Sequence, residues 1–119
     1  MKNFKLTKKF KIESGVKLFQ IQCIIDFQYA KKGELGGWIE KDENLSGNAW
    51  VSGDAWVSGN AQVSGTAQAS GTARVFGTAW VSGNARVFGT AWVSGNARVY
   101  GNAQVSGTAQ ASGTARVSG

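Results

Sequence analysis

From residue 47 onward the chain repeats a six-residue cycle, Gly-(Asn/Thr/Asp)-Ala-x-(Val/Ala)-(Ser/Phe/Tyr), twelve times without a gap as far as Gly119. Repetition this strict predicts a solenoid. Within each unit Ala-x-Val has period two, so alanine and valine face one way and x faces the other. Each unit is then one short strand and one corner. Glycine supplies the corner because it accepts positive φ, and the asparagine or aspartate beside it tolerates similar strain. Threonine in that place is stiffer, so the glycine must carry the bend. A disordered Gly/Ser linker would not hold valine or alanine at every sixth position. The predicted interior is the column from Val51 to Val117 with the small alanines. Ala69 and Ala111 replace two of the valines and predict slight underpacking.

Residues 1–46 lack the cycle and read as a separate head, with 47–119 as the repeat domain. Residues 9–13 and 16–27 look like two strands joined at Ser14-Gly15, an expected hairpin. In the second, Phe19, Ile21, Cys23, Ile25 and Phe27 would line one face, with Cys23 a buried small hydrophobe. Leu35-Gly36-Gly37-Trp38-Ile39-Glu40 reads as a degenerate first corner, and Leu45-Ser46 enters the regular pattern. Such a head would cap the first coil, because a bare solenoid end exposes core and strand edges.

Val-Ser-Gly-Asn-Ala-Arg fits the hexapeptide pattern of left-handed β-helices. Lys31-Lys32-Gly33-Glu34-Leu35-Gly36-Gly37-Trp38-Ile39-Glu40, followed by Glu43-Asn44-Leu45-Ser46, resembles the YdcK-like β-solenoid proteins of bacteria and their prophages. The similarity extends over essentially the whole chain. It implies an all-β fold: a single-stranded, left-handed parallel β-helix of triangular section. The hand is an exception to the usual right-handed crossover. Three sides of six residues make about 18 residues per coil, hence about four repeat coils and a rod of roughly 20 Å. The resemblance brings no activity with it.

With 18-residue stacking, the outward x positions form three rows. One holds Trp56, Arg74, Trp92 and Gln110; a second Trp50, Gln68, Arg86 and Gln104; the third Gln62, Trp80, Arg98 and Arg116. Arg74 between two indoles would be a cation–π ladder, worth about 0.5–1 kcal/mol per exposed contact. Residues 61–75 and 103–117 are one string, and 77–87 recurs as 89–99. These offsets of 42 and 12 are not multiples of 18, so copies land on different sides. That favours a scaffold whose unit is the hexapeptide. Phe76, Phe88 and Tyr100 lie 12 residues apart and should climb different corners.

Composition removes most chemistry. The chain has no histidine and one cysteine, which excludes His-based dyads and triads, His-ligated metal, an internal disulfide and a Cys-based zinc site. Hexapeptide acyltransferases and the related carbonic anhydrases depend on histidine, and no other dyad replaces it. No phosphate-cradling Gly-Lys-Ser or Gly-Lys-Thr follows the glycines. No enzyme, cofactor or metal is expected. The net charge of +6 is split evenly: nine lysines against six acids in 1–46, four arginines against Asp54 thereafter. Lys2, Lys5, Lys8, Lys9 and Lys11 make the start locally basic. No apolar run of signal-peptide length follows them, and a cytoplasmic location without membrane contact is expected.

The expected role is a non-enzymatic structural or interaction module, of phage or prophage origin by resemblance. The alternative is an inhibitor that binds a host protein or nucleic-acid complex, as an anti-defence protein would. Its surface would be Trp56, Arg74, Trp92, Trp80, Arg98 and Arg116 with Lys8, Lys9 and Lys11, nucleic acid being the weaker partner choice. Ice binding is a remote third: Thr72, Thr90 and Thr108 stack, but beside corner glycines and among tryptophan and arginine. The repeat reaches Gly119 with no cap of its own, so self-association of two copies through the C-terminal coil is expected.

Overall fold

The computed structural model describes residues 3–13 and 15–118. Strands β1 (Phe4–Glu13), β2 (Val16–Cys23) and β3 (Leu35–Ile39) form the head, and twelve strands of two or three residues follow. A 3₁₀ turn covers Asp42–Asn44. The short strands stack in parallel with partners 18 residues apart, as in Trp56↔Arg74, Arg86↔Gln104 and Trp80↔Arg98. Three sheets result, one per side of the coil.

The expected six-residue logic explains each coil. Every alanine from Ala49 to Ala97 and every core valine from Val51 to Val99 is buried, in one continuous cluster. The corner glycines from Gly47 to Gly113 all have φ between 61° and 73°. Each corner closes a β-turn, for example Ala55 N–H to Ser52 C=O at 3.2 Å. Adjacent corners lie backbone to backbone, tied by bonds such as Asn60 N–H to Gly77 C=O at 2.8 Å. Thr72 and Thr90 add their hydroxyls to the carbonyls of Gly89 and Gly107, so the threonine column braces the corner.

One side continues into the head. Its sheet has seven strands, β1-β2-β3 and then the strands carrying Trp56, Arg74, Trp92 and Gln110. At ~4.8 Å per strand this sheet spans about 29 Å, most of the longest molecular dimension of 34 Å. The hairpin is present, running from Phe4↔Cys23 to Glu13↔Val16; Ser14 of its turn lies outside the described residues.

Three expectations for the head need correction. The first strand begins at Phe4 rather than Lys9, with an irregularity between Leu6 and Phe10 where Thr7 Oγ accepts from Lys9 N–H. The second ends at Cys23, not Phe27. There Cys23 N–H bonds Glu34 C=O and Gly33 N–H bonds Cys23 C=O, both at 2.8 Å, which closes the loop and returns the chain for β3. Ile25 is therefore exposed and Phe19 only half-buried, while Leu18 is buried apart from Ile21 and Cys23, against Trp38 and Trp56. β2 itself keeps its alternation, with Ile21 and Cys23 in the coil core and Leu18 on the opposite face, until the chain leaves it at Cys23.

The third correction concerns residues 35–40. They are not a corner. β3 is a strand, antiparallel to β2 and parallel to the Trp56 strand, so it is the first side of the first coil. Gly36 and Gly37 are there for close approach. A Cβ on Gly36 would stand 2.6 Å from the Val51 carbonyl oxygen, and one on Gly37 2.7 Å from that of Ala55. The expected entry at Leu45 stands: it bridges Val63 in parallel.

Asn44 locks the head to the repeats. Its amide is fully buried, donates to Gly59 C=O (3.2 Å) and Ala61 C=O (2.8 Å), and accepts from Glu40 and Lys41 N–H. Glu40 in turn accepts from Gly59 N–H at 2.6 Å. Buried polar groups need such complete partnering.

Candidate functional site

The outward x positions carry all the candidate chemistry, and the coil geometry sorts them. On the first side the expected row Trp56–Arg74–Trp92–Gln110 is present, and Trp38 extends it by pairing with Trp56. The Arg74 guanidinium lies 4.6 Å from the Trp56 ring centre and 5.4 Å from that of Trp92. Lys11 reaches across from β1 to sit 4.6 Å from Trp38. Phe76 turns its edge to Trp92 at 6.0 Å. The result is one continuous stack from the head into the repeats.

Burial divides that stack. Trp38 and Trp56 are each only 8% exposed, packed against Leu18, whereas Trp92 is 37% exposed. The first two brace the hairpin and the third faces outward. Two shallow clefts flank Arg74. One, of about 220 Å³, is lined by Val16, Trp56, Ser58, Arg74, Phe76 and Trp92. The other, about 310 Å³, mixes charges: Lys11, Glu13 and Asp54 beside Trp56, Thr72 and Arg74.

The third-side row Gln62–Trp80–Arg98–Arg116 is also in register. Arg98 sits 4.9 Å from the Trp80 ring centre. Trp80 is 46% exposed and Tyr100 beside it 39%. On the second side Trp50 is buried under Phe27, whose ring centre is 5.5 Å away, and contributes to the head. Lys8 and Lys9 are exposed on the irregular part of β1, and Lys11 alone of the three joins the aromatic stack. Lys11 also stands 3.9 Å from Glu13.

Sequence reasoning missed Trp38, Phe76 and Tyr100 as neighbours of these rows. Trp38 was detectable: it precedes Trp56 by one 18-residue coil, but its Gly-Gly setting disguised it as a corner. Among the described residues, no group of three or more Cys, Asp or Glu side chains could hold a metal. No described helix is long and apolar enough to cross a membrane.

The stretch with the densest Trp/Arg alternation also decides the relationship. The YdcK beta solenoid repeat matches residues 79–95 and again 91–107. Both stretches are similar to the YdcK β-solenoid repeat. The two matches are offset by 12 residues, two hexapeptides, the same offset that relates 77–87 to 89–99. A YdcK repeat thus begins on different sides of the coil in successive matches, and Trp80 and Trp92 occupy equivalent repeat positions on different faces. No curated protein matches the chain.

Proposed function

We propose that this YdcK-type solenoid is a non-catalytic interaction module, of phage or prophage origin and acting in the cytoplasm, whose partner docks on the aromatic–arginine sides. One observation carries the reading. Trp80, Trp92 and Tyr100 are each more than a third exposed while arginines hold the two indoles in place. Aromatic side chains fixed before binding lose little entropy on docking, and Trp, Tyr and Arg dominate binding energy at interfaces. A scaffold needing only to cover its strands could use the glutamines already found at Gln62, Gln68 and Gln104. The absence of histidine supports a role without catalysis.

The immobilised protein and its Trp92→Ser and Trp80→Ser variants, exposed to host lysate, test this. A binder retained by the parent and lost by either variant, with both variants still melting cooperatively, is the expected result. Identical retention by all three would refute docking on these sides.

A further inference from the structure

The third side differs from the first in one respect. Arg74 has an indole on each face, but Arg98 has Trp80 on one side and Arg116 on the other. Arg98↔Arg116 and Val99↔Val117 are direct partners in parallel strands, so two cationic side chains occupy successive rungs ~4.8 Å apart. Like charges at that spacing repel unless an anion joins them. All seven acidic side chains lie at or before Asp54, 44 or more residues ahead of Arg98 in the chain. The last coils carry arginine alone.

What surrounds the pair narrows the anion. Trp80, Ser82, Arg98, Tyr100 and Arg116 line an open cleft of about 270 Å³. Tyr100 stands where most units have serine, and the strand there lengthens to Arg98–Tyr100. Two guanidinium forks suit phosphate oxygens, and two partly exposed aromatic rings suit unstacked bases. An acidic peptide would satisfy the arginines and leave the rings unused. Duplex DNA hides its base faces, and a flat sheet presents nothing to enter a groove.

Resting on the interaction-module reading, we propose that Trp80, Arg98, Tyr100 and Arg116 bind single-stranded nucleic acid. The two arginines take phosphates, and a base stacks on Trp80 or Tyr100. The contact covers one or two nucleotides, so binding is weak and its salt dependence shallow.

Fluorescence anisotropy with a labelled twelve-nucleotide oligo-dT, titrated at several salt concentrations, tests the assignment. Two phosphate contacts give a log–log salt slope of about −1.4, and Arg116→Gln should reduce it to about −0.7. Tyr100→Ser should weaken binding roughly tenfold without changing the slope, since stacking releases no counterions. Arg86→Gln, on the second side, should alter neither. Three outcomes overturn the proposal: no retention at low salt, a slope indifferent to Arg116→Gln, or equal competition by polyglutamate or duplex. The last would mean an acidic partner. If oligo-dT fails while a lysate binder still depends on Trp92, only this assignment falls; if both fail, so does the module reading.

Discussion

Replacing a corner glycine by alanine separates backbone strain from coil-to-coil contact within one molecule. Gly89 and Gly107 have φ of 73° and 64°. An alanine at either would pay the left-handed penalty of roughly 1–2 kcal/mol, offset by about 0.4–1 kcal/mol from a stiffer unfolded chain. The net strain is about 1 kcal/mol at both. Their surroundings differ. A Cβ on Gly89 would stand 2.9 Å from Gly107 N and 3.1 Å from its carbonyl oxygen, whereas a Cβ on Gly107 meets nothing within 4 Å. The atoms at Gly89 are backbone and cannot rotate away. Relief means parting the coils where Thr90 N–H donates to Gly107 C=O at 2.9 Å. Overpacking plus one weakened hydrogen bond adds about 2 kcal/mol or more. Urea unfolding followed by far-ultraviolet circular dichroism should show Gly89→Ala losing about 3 kcal/mol and Gly107→Ala about 1. Gly33→Ala, at φ 92° with open space around it, is a strain-only control away from the last coil. It excludes fraying as the reason Gly107 is tolerant. Equal losses at Gly89 and Gly107 would refute the contact argument.

Three further outcomes follow from the core and the stack. Asn44→Ala removes four hydrogen bonds from a fully buried amide and should lower stability by about 3 kcal/mol; an unchanged urea midpoint would show that the head is held by apolar packing alone. Val87→Asp would bury an unpaired carboxylate at a side chain with no exposure, and should abolish the cooperative melt seen by circular dichroism. A double-mutant cycle on Arg74→Ala and Trp92→Ala should give a coupling of about 0.5–1 kcal/mol, and additivity within experimental error would count against the cation–π contact.

The repeat domain was legible because each of its positions answers to one local requirement. Glycine turns the corner, alanine and valine fill the coil, and x faces out, so the register follows once the number of sides is set. The head was less legible because its elements answer to distant ones. Nothing local says that Gly36 and Gly37 are extended. Their lack of Cβ matters only because the Val51 and Ala55 carbonyls pass close by. Likewise β2 has an unbroken apolar alternation to Phe27, yet the chain leaves it at Cys23 so that β3 can cover the first coil. Phe27 then packs on Trp50, which the repeat alone would place outside. Asn44 carried no signal beyond its motif, since its four partners come from residues 40, 41, 59 and 61. On the surface, the rows were readable but not their exposure: Trp56 and Trp92 are alike in sequence and differ because Leu18 covers one.

The stacking pattern has an arithmetic cause. From Arg74 to Arg98 the x positions alternate strictly: Arg74, Trp80, Arg86, Trp92, Arg98. Neighbours across coils are three units apart, and three is odd, so an alternation of period two sets arginine against tryptophan. Arg74 meets Trp92 and Trp80 meets Arg98 for this reason. A coil with an even number of sides would have stacked arginine on arginine, with repulsion on each rung. Duplicating any twelve-residue block preserves the alternation, which lets such copying extend the coil without designing each face. The rule fails where the alternation stops. Gln104 and Gln110 interrupt it, and Arg116 arrives in a place the pattern would give to tryptophan. That interruption creates the Arg98–Arg116 pair. Replacing Arg116 by tryptophan restores the rule, so Arg116→Trp should raise the melting temperature while cutting the salt slope of oligo-dT binding to about −0.7. Arg116→Gln should halve the slope too, but with less gain in stability, because it removes the repulsion without adding a ring beside Arg98. If Arg116→Trp melts no higher than the parent, the pair is not a strained interruption, and the physical ground for an anion between the two arginines disappears.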